Sequence, residues 1–148
     1  MATTLQSYFA TATQKACDEL IEAIGSLNLR RLNLRRNPVS NVAYLKHMTG
    51  LLELDLSETD LGSQGLKIIS NLKKLQILRL DKTKISDADL VHLYPLKTLA
   101  FLGVRGCTNL SREGIEKLRA QIPHCSIEFD RQILPLANPP NPISADLY

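Results

Sequence analysis

"LLELDLSETDL" (residues 51–61) returns in outline as "LQILRLDKTKI" (residues 75–85), with apolar residues at the same positions and Thr59 matched by Thr83. Side chains alternate across an extended chain, so the L-x-L spacing puts Leu54 with Leu56, and Leu78 with Leu80, on one face. Asp55 and Arg79 then point the other way. The same arrangement precedes the pair in "LRRLNLRRNPV" (29–39) and follows it in "LAFLGVRGCTNL" (99–110). "IPHCSIEF" (122–129) reads as a degraded fifth start, so that the starts fall 22, 24, 24 and 23 residues apart.

Between these strands the period changes. Leu66, Ile69 and Leu72, then Leu90, Leu93 and Leu96, stand three apart, which suits a short helix or 3₁₀ segment rather than a second strand. Ser86 and Ser111 stand where such segments begin, as N-caps. A unit of one strand and one short helix cannot bury its apolar side alone, so neighbouring units must stack. A period of roughly 20 to 29 residues with L-x-x-L-x-L-x-x-[N/T/C]-x-L resembles the leucine-rich repeats. "TKISDADL" (83–90) and "CTNLSREGI" (107–115) resemble more closely the cysteine-containing, ribonuclease-inhibitor-like subclass, and similar short arrays occur in bacterial proteins. The resemblance covers residues 27 to about 129. It implies an α/β fold: a right-handed solenoid with a curved parallel sheet on its concave side and short helices on its convex side.

The ends of such a stack need covers. Cys17, Leu20, Ile21 and Ile24 fall at helical spacing, so residues 1–26 are expected to form an amphipathic N-terminal capping helix. Residues 27–130 hold about four repeats and the degraded terminal one. Residues 131–148 carry four Pro in eighteen positions and read as a Pro-rich C-terminal tail, in which Pro139 and Pro142 mark a linker rather than a recognition motif.

Bulk properties restrict the function classes. A chain of 148 residues can hold one domain with a real core, and 44% hydrophobic with 22% charged residues is ordinary globular composition. A net charge of +3 is too small to announce a nucleic-acid binder. Three Cys (Cys17, Cys107, Cys125) are an odd, sparse set that argues against a disulfide scaffold and fits a reducing compartment. The first residues show no basic segment leading into an apolar one, and no stretch reaches the roughly 18 apolar residues of a membrane span. The expectation is a soluble, cytoplasmic monomer with no membrane association, export by a non-classical route remaining open.

With the Leu ladder inward, the residues between its teeth form the exposed strand face. One column reads Arg31, Glu53, Ile77, Phe101, His124; the next reads Asn33, Asp55, Arg79, Gly103, Ser126; and a third Arg35, Ser57, Asp81, Arg105, Glu128. Strands roughly 4.8 Å apart make column members direct neighbours, so Arg31 meets Glu53, Asp55 meets Arg79, and Asp81 meets Arg105. Such pairs could be no more than solvated ladders. Ile77 beside Phe101, with Gly103 lowering the relief and Arg79 and Arg105 nearby, instead matches the apolar-and-arginine composition of interface hot spots. The residues expected to contact a partner protein are Ile77, Phe101, Arg79, Arg105, Asp55, Glu53 and, at the margin, Arg31.

Other chemistries find little support. Four Arg in "LRRLNLRRN" could meet phosphates, but Glu53, Asp55 and Glu58 on the adjacent strand offset them and stacking aromatics are lacking. Cys107 stands where the family places Asn, Thr or Cys to satisfy turn amides and carbonyls, Cys125 takes a ladder position, and adjacent His124 faces away from it. The three His show no metal-ligand spacing, and "GSQG" (62–65) is too short for a phosphate loop. "NLS" at Asn109 reads as a turn and cap rather than a glycosylation site. The chain is therefore expected to be a non-catalytic binding module without cofactor or metal. The alternatives are an adaptor or substrate-recognition subunit of a larger complex, or a secreted bacterial effector, either using the same face.

Overall fold

The computed structural model describes residues 29–37 and 42–130. The capping helix expected over 1–26 and the tail 131–148 lie outside these residues. Five three-residue strands, β1 (Arg31–Asn33), β2 (Glu53–Asp55), β3 (Ile77–Arg79), β4 (Phe101–Gly103) and β5 (Ser126–Glu128), form one parallel sheet in sequence order. Between them lie a 3₁₀ segment Ala43–His47, helix α1 (Ser63–Ile69), a second 3₁₀ segment Asp87–Leu93 and helix α2 (Arg112–Gln121). Each repeat is thus a strand and a helical return, as the switch from period two to period three predicts.

The two periods meet in one core. Leu54, Leu56, Leu78, Leu80, Leu102 and Val104 from the strand side are fully buried, as are Leu66, Ile69, Leu72, Leu93 and Leu96 from the helical side. Register matches the repeat alignment through β4: Leu32 pairs Leu54, Leu54 pairs Leu78, and Leu78 pairs Leu102. Identical side chains therefore stack tooth upon tooth along the array.

The fifth repeat departs from expectation. The start at Ile122 placed Cys125 opposite Leu102, whereas the structure pairs Leu102 with Ile127 and Phe101 with Ser126, two residues later. Ile122 is instead the buried residue that closes α2. The Cys125 N–H donates to its carbonyl at 3.0 Å, just as Leu75 and Leu99 donate to Leu72 and Leu96. "IPHC" is a helix ending followed by Pro, not a strand beginning. His124 consequently leaves the strand face; its Nε2 lies 2.7 Å from the Lys97 carbonyl oxygen.

Turns after the strands share one conformation. Arg36, Glu58, Lys82 and Gly106 all have positive φ, between 54° and 68°. Only the last is the residue type that adopts it without steric cost. The turns are held by a buried column beneath them: Thr59 Oγ1 donates to the Leu56 carbonyl and Thr83 Oγ1 to that of Leu80, both at 2.7 Å, while Cys107 Sγ sits 3.1 Å from the Leu80 oxygen. This is the satisfying role expected of the Asn/Thr/Cys position.

Both expected caps stand at the starts of their segments. Ser111 caps α2, its Oγ accepting from the Gly114 N–H at 3.0 Å. Ser86 caps the second 3₁₀ segment through a capping box with Asp89, in which the Ser86 N–H and hydroxyl also donate to the Asp89 carboxylate at 2.8 Å. Burial pushes the Asp89 carboxyl up, but hydrogen bonds from Ser63 and Ser86 outweigh that and hold it below its ordinary value.

Candidate functional site

Strands β1 to β4 bring together most of the residues expected at a binding face. Ile77 and Phe101 are direct neighbours across β3 and β4, and both are half-buried. The Arg79 guanidinium lies over the Phe101 ring, 5.3 Å from its centroid, a cation–π arrangement that fixes the direction of both side chains. On its other side Arg79 donates to Glu53 Oε1 at 2.8 Å, and Arg31 Nε lies 3.5 Å from Glu53 Oε2. Arg31, Glu53, Arg79 and Phe101 thus form one connected row.

Gly103 is what opens room for that row. A Cβ there would stand 3.1 Å from Asp81 Oδ1 and 3.5 Å from the Phe101 ring edge. The missing side chain lets the ring and the carboxylate share the space above β4. This is the low relief expected from the sequence, given a specific occupant.

Two expected neighbours behave differently. Asp55 pairs in register with Arg79 but makes no ion pair with it; only 9% exposed, it accepts the Ser57 N–H at 2.9 Å. A short acidic side chain two residues before a turn amide reaches that amide more readily than a partner across the sheet. Asp55 therefore supports the turn beneath the face. Asp81 likewise accepts the Arg105 backbone N–H at 2.7 Å, leaving the Arg105 guanidinium to pair with Glu128 at 3.2 Å. Arg105 stays exposed at the far side of Phe101's strand.

Sequence reasoning overlooked the acceptor set along the turns. Asn33 accepts the Arg35 N–H, the Ser57 hydroxyl the Asp81 N–H, and Asp130 the Gly106 N–H. The available signal was a short polar side chain one or two positions from each turn. It also overlooked Asp87, whose carboxylate accepts the Ser111 N–H at 2.9 Å and so supports the cap of the following repeat.

Beside this row lies an open hollow lined by Arg36, Asn37, Glu58, Thr59, Asp60, Lys82 and Lys84. Glu58 anchors one wall, accepting from Arg35 Nη2 at 2.7 Å and Arg36 Nε at 2.9 Å. Hydrogen bonds from Arg36, then Arg35, hold its carboxyl down at about 2 against an ordinary 4.5. A folded value below the unfolded one contributes stability above pH 4.5 that disappears as pH falls through about 2. Melting temperature followed across that window should decline less steeply in Glu58→Gln than in the parent. An identical decline would show that the Arg35–Glu58–Arg36 contact is absent in solution.

The remaining titratable candidates are poorly suited to chemistry. Cys107 and Cys125 are buried, and burial pushes both thiols up, Cys125 to about 11. Among the described residues no helix is long and apolar enough to cross a membrane, and no group of three His, Cys, Asp or Glu could hold a metal ion.

No family model matches the chain, and no curated protein does. Among solved structures it is similar to internalin C2 of Listeria monocytogenes, with a TM-score of 0.61 and 22% identity over 79% of this chain and 51% of that one. It is also similar to internalin F of the same bacterium, with a TM-score of 0.37 and 14% identity over 85% of this chain and 49% of the other. The chain spans about half the length of either. Only the first likeness bears on the fold: taken with the parallel sheet and the short helical return in each repeat, it gives the described residues a leucine-rich-repeat fold.

Proposed function

We propose that this chain is a non-catalytic protein-interaction module whose partner docks on the strand face, with Ile77 and Phe101 as apolar anchors and Arg79, Arg105, Glu53 and Arg31 around them. Asp55 contributes from beneath, by fixing the β2 turn. A right-handed solenoid would place that face on its concave side. The alternation of Thr59, Thr83 and Cys107 in the turn column supports assigning the repeats to the cysteine-containing subclass.

One observation carries the reading: two adjacent apolar side chains stand half-buried in a face otherwise made of ion pairs, and the larger is held in place by Arg79. Pre-positioned aromatic and arginine side chains cost little further ordering on association, which is why they dominate hot spots. The burial of Cys107 and Cys125, which pushes both thiols up, supports the non-catalytic part.

The test is the pair Phe101→Asp with Ile77→Ser. Affinity recovery compared between parent and double variant should lose the partner, while the melting temperature stays nearly unchanged because neither side chain belongs to the buried ladder. Undiminished recovery by a folded variant would remove the reason for choosing this face.

A further inference from the structure

Hydrogen-bonding capacity on the strand face is lopsided, and this indicates what the partner offers. The carboxylates are already engaged. Glu53 receives Arg79 on one oxygen and Arg31 beside the other, and Glu58 receives Arg35 on one and Arg36 on the other. Asp55 and Asp81 are spent on turn amides. Each of these groups accepts from inside the molecule.

The guanidinium groups are not used up in the same way. Each carries five N–H donors in a rigid fork. Arg36 reaches Glu58 through Nε alone and Arg79 reaches Glu53 through Nη1 alone, among the described residues. The cation is also the outer member of each pair: side-chain exposure is 74% for Arg31 against 29% for Glu53, 66% for Arg36 against 21% for Glu58, and 60% for Arg105 against 42% for Glu128. Lys82, on the wall of the adjacent hollow, has no carboxylate within ion-pair distance among the described residues. The formal charges of the face nearly cancel, yet along β1 to β3 what projects outward is mainly donors with Glu53 and Glu58 lying beneath them, while in the adjacent hollow Asp60 stays 70% exposed beside Lys84.

Resting on the proposal that this face is the docking site, we infer that the partner presents an acidic protein segment to it. Carboxylates of the segment take the outward donors of Arg31, Arg36, Arg79, Lys82 and Arg105, and an apolar side chain rests on Ile77 and Phe101. Carboxylates match the planar fork of arginine with paired, charge-assisted hydrogen bonds, which amide or hydroxyl acceptors do not. A basic partner would confront these donors with more donors. To reach Glu53 it would have to displace Arg79 from both Glu53 and Phe101.

The experiment uses a synthetic glutamate-rich peptide with one central phenylalanine, and the same peptide with glutamine for every glutamate. Binding to the full chain is followed by fluorescence anisotropy, and the contacts by the Nε–Hε resonances of the arginines. The acidic peptide should bind roughly ten- to hundredfold more tightly than the neutral one and weaken as salt is raised. It should shift the resonances of Arg31, Arg79 and Arg105. Arg79→Gln should weaken its binding, and Glu53→Gln, which removes the negative charge that competes for Arg31 and Arg79 while leaving Gln Oε1 to accept from Arg79, should strengthen it.

Equal affinity for the two peptides, no binding of the acidic one, an unchanged or weaker affinity in Glu53→Gln, or shifts confined to Arg112 and Arg119 on α2 would each overturn the inference. Failure of the face itself shows separately. There the native partner survives Phe101→Asp with Ile77→Ser, whereas loss of the partner in that variant together with equal peptide affinities leaves the face standing and removes only its acidic preference.

Discussion

Leu78→Ala is expected to cost about 2 to 5 kcal/mol of stability, read from urea unfolding of the two proteins side by side. Leu78 is fully buried and occupies the middle of the tooth row, stacked between Leu54 and Leu102 in register. Truncation leaves a cavity walled by neighbouring leucines from three successive repeats. Those neighbours are held by their own strands and helices, so they cannot collapse into the space, and the cost should approach the upper part of the range. Position matters as well as burial. In a stacked array each unit touches only the next, so a defect at the central unit weakens the coupling between the two sides. The denaturant dependence should therefore broaden as well as shift, which the same change at Leu32, in the first described strand, should not do to the same degree. A loss below about half a kcal/mol would place Leu78 outside the core and break the register on which the whole strand face depends.

The ladder and the face were legible in the sequence for the same reason. A strict period of two, repeated at nearly constant intervals, leaves only one registration that buries Leu54, Leu78 and Leu102 together, and that registration lines up Ile77 with Phe101. The partner of each charged side chain was not legible. Column neighbours predict Asp55 with Arg79, but the structure joins Arg79 diagonally to Glu53, because Asp55 is short enough to fold back on its own turn amide while Glu53 and Arg79 are long enough to meet across the strand. Reach, not column, decides the pairing. The fifth strand was misplaced for a different reason. Ile122 is apolar, as a ladder residue is, and only the Pro that follows it and its role at the end of α2 distinguish a helix ending from a strand beginning. The stacking of Arg79 on Phe101 required both the pairing and Gly103's missing side chain, and so could be foreseen only as proximity.

Gly65→Ala is the second large effect, and its sign runs against helix propensity. Gly65 lies inside α1, where exchange for alanine ordinarily gains about 1 kcal/mol. Here the residue is buried, and a Cβ would overlap Leu61 Cδ1 and stand 2.9 Å from its Cγ and 3.2 Å from Val42 Cγ2. Leu61 and Val42 are themselves core residues with almost no exposure, so neither can swing toward solvent without opening the repeat. Overpacking of this kind costs about 1 to 3 kcal/mol, and at so close an approach it should exceed the propensity gain of about 1 kcal/mol and leave a net loss of up to about 2 kcal/mol. Gly62, one turn earlier, supplies the contrast: a Cβ there has nothing within 4 Å, so Gly62→Ser should be neutral or slightly stabilising through capping. The clash is mainly with one methyl group, which suggests its own remedy. Leu61→Val removes that methyl and alone should destabilise by leaving a small void, but combined with Gly65→Ala it should recover part of the loss, because the new methyl fills the space the old one vacates. Chemical denaturation of the four proteins in that cycle gives the coupling directly. A Gly65→Ala protein as stable as the parent, or strict additivity in the double variant, would mean that α1 does not pack on Leu61 as described, and with it the spacing between the helical layer and the sheet would have to be redrawn.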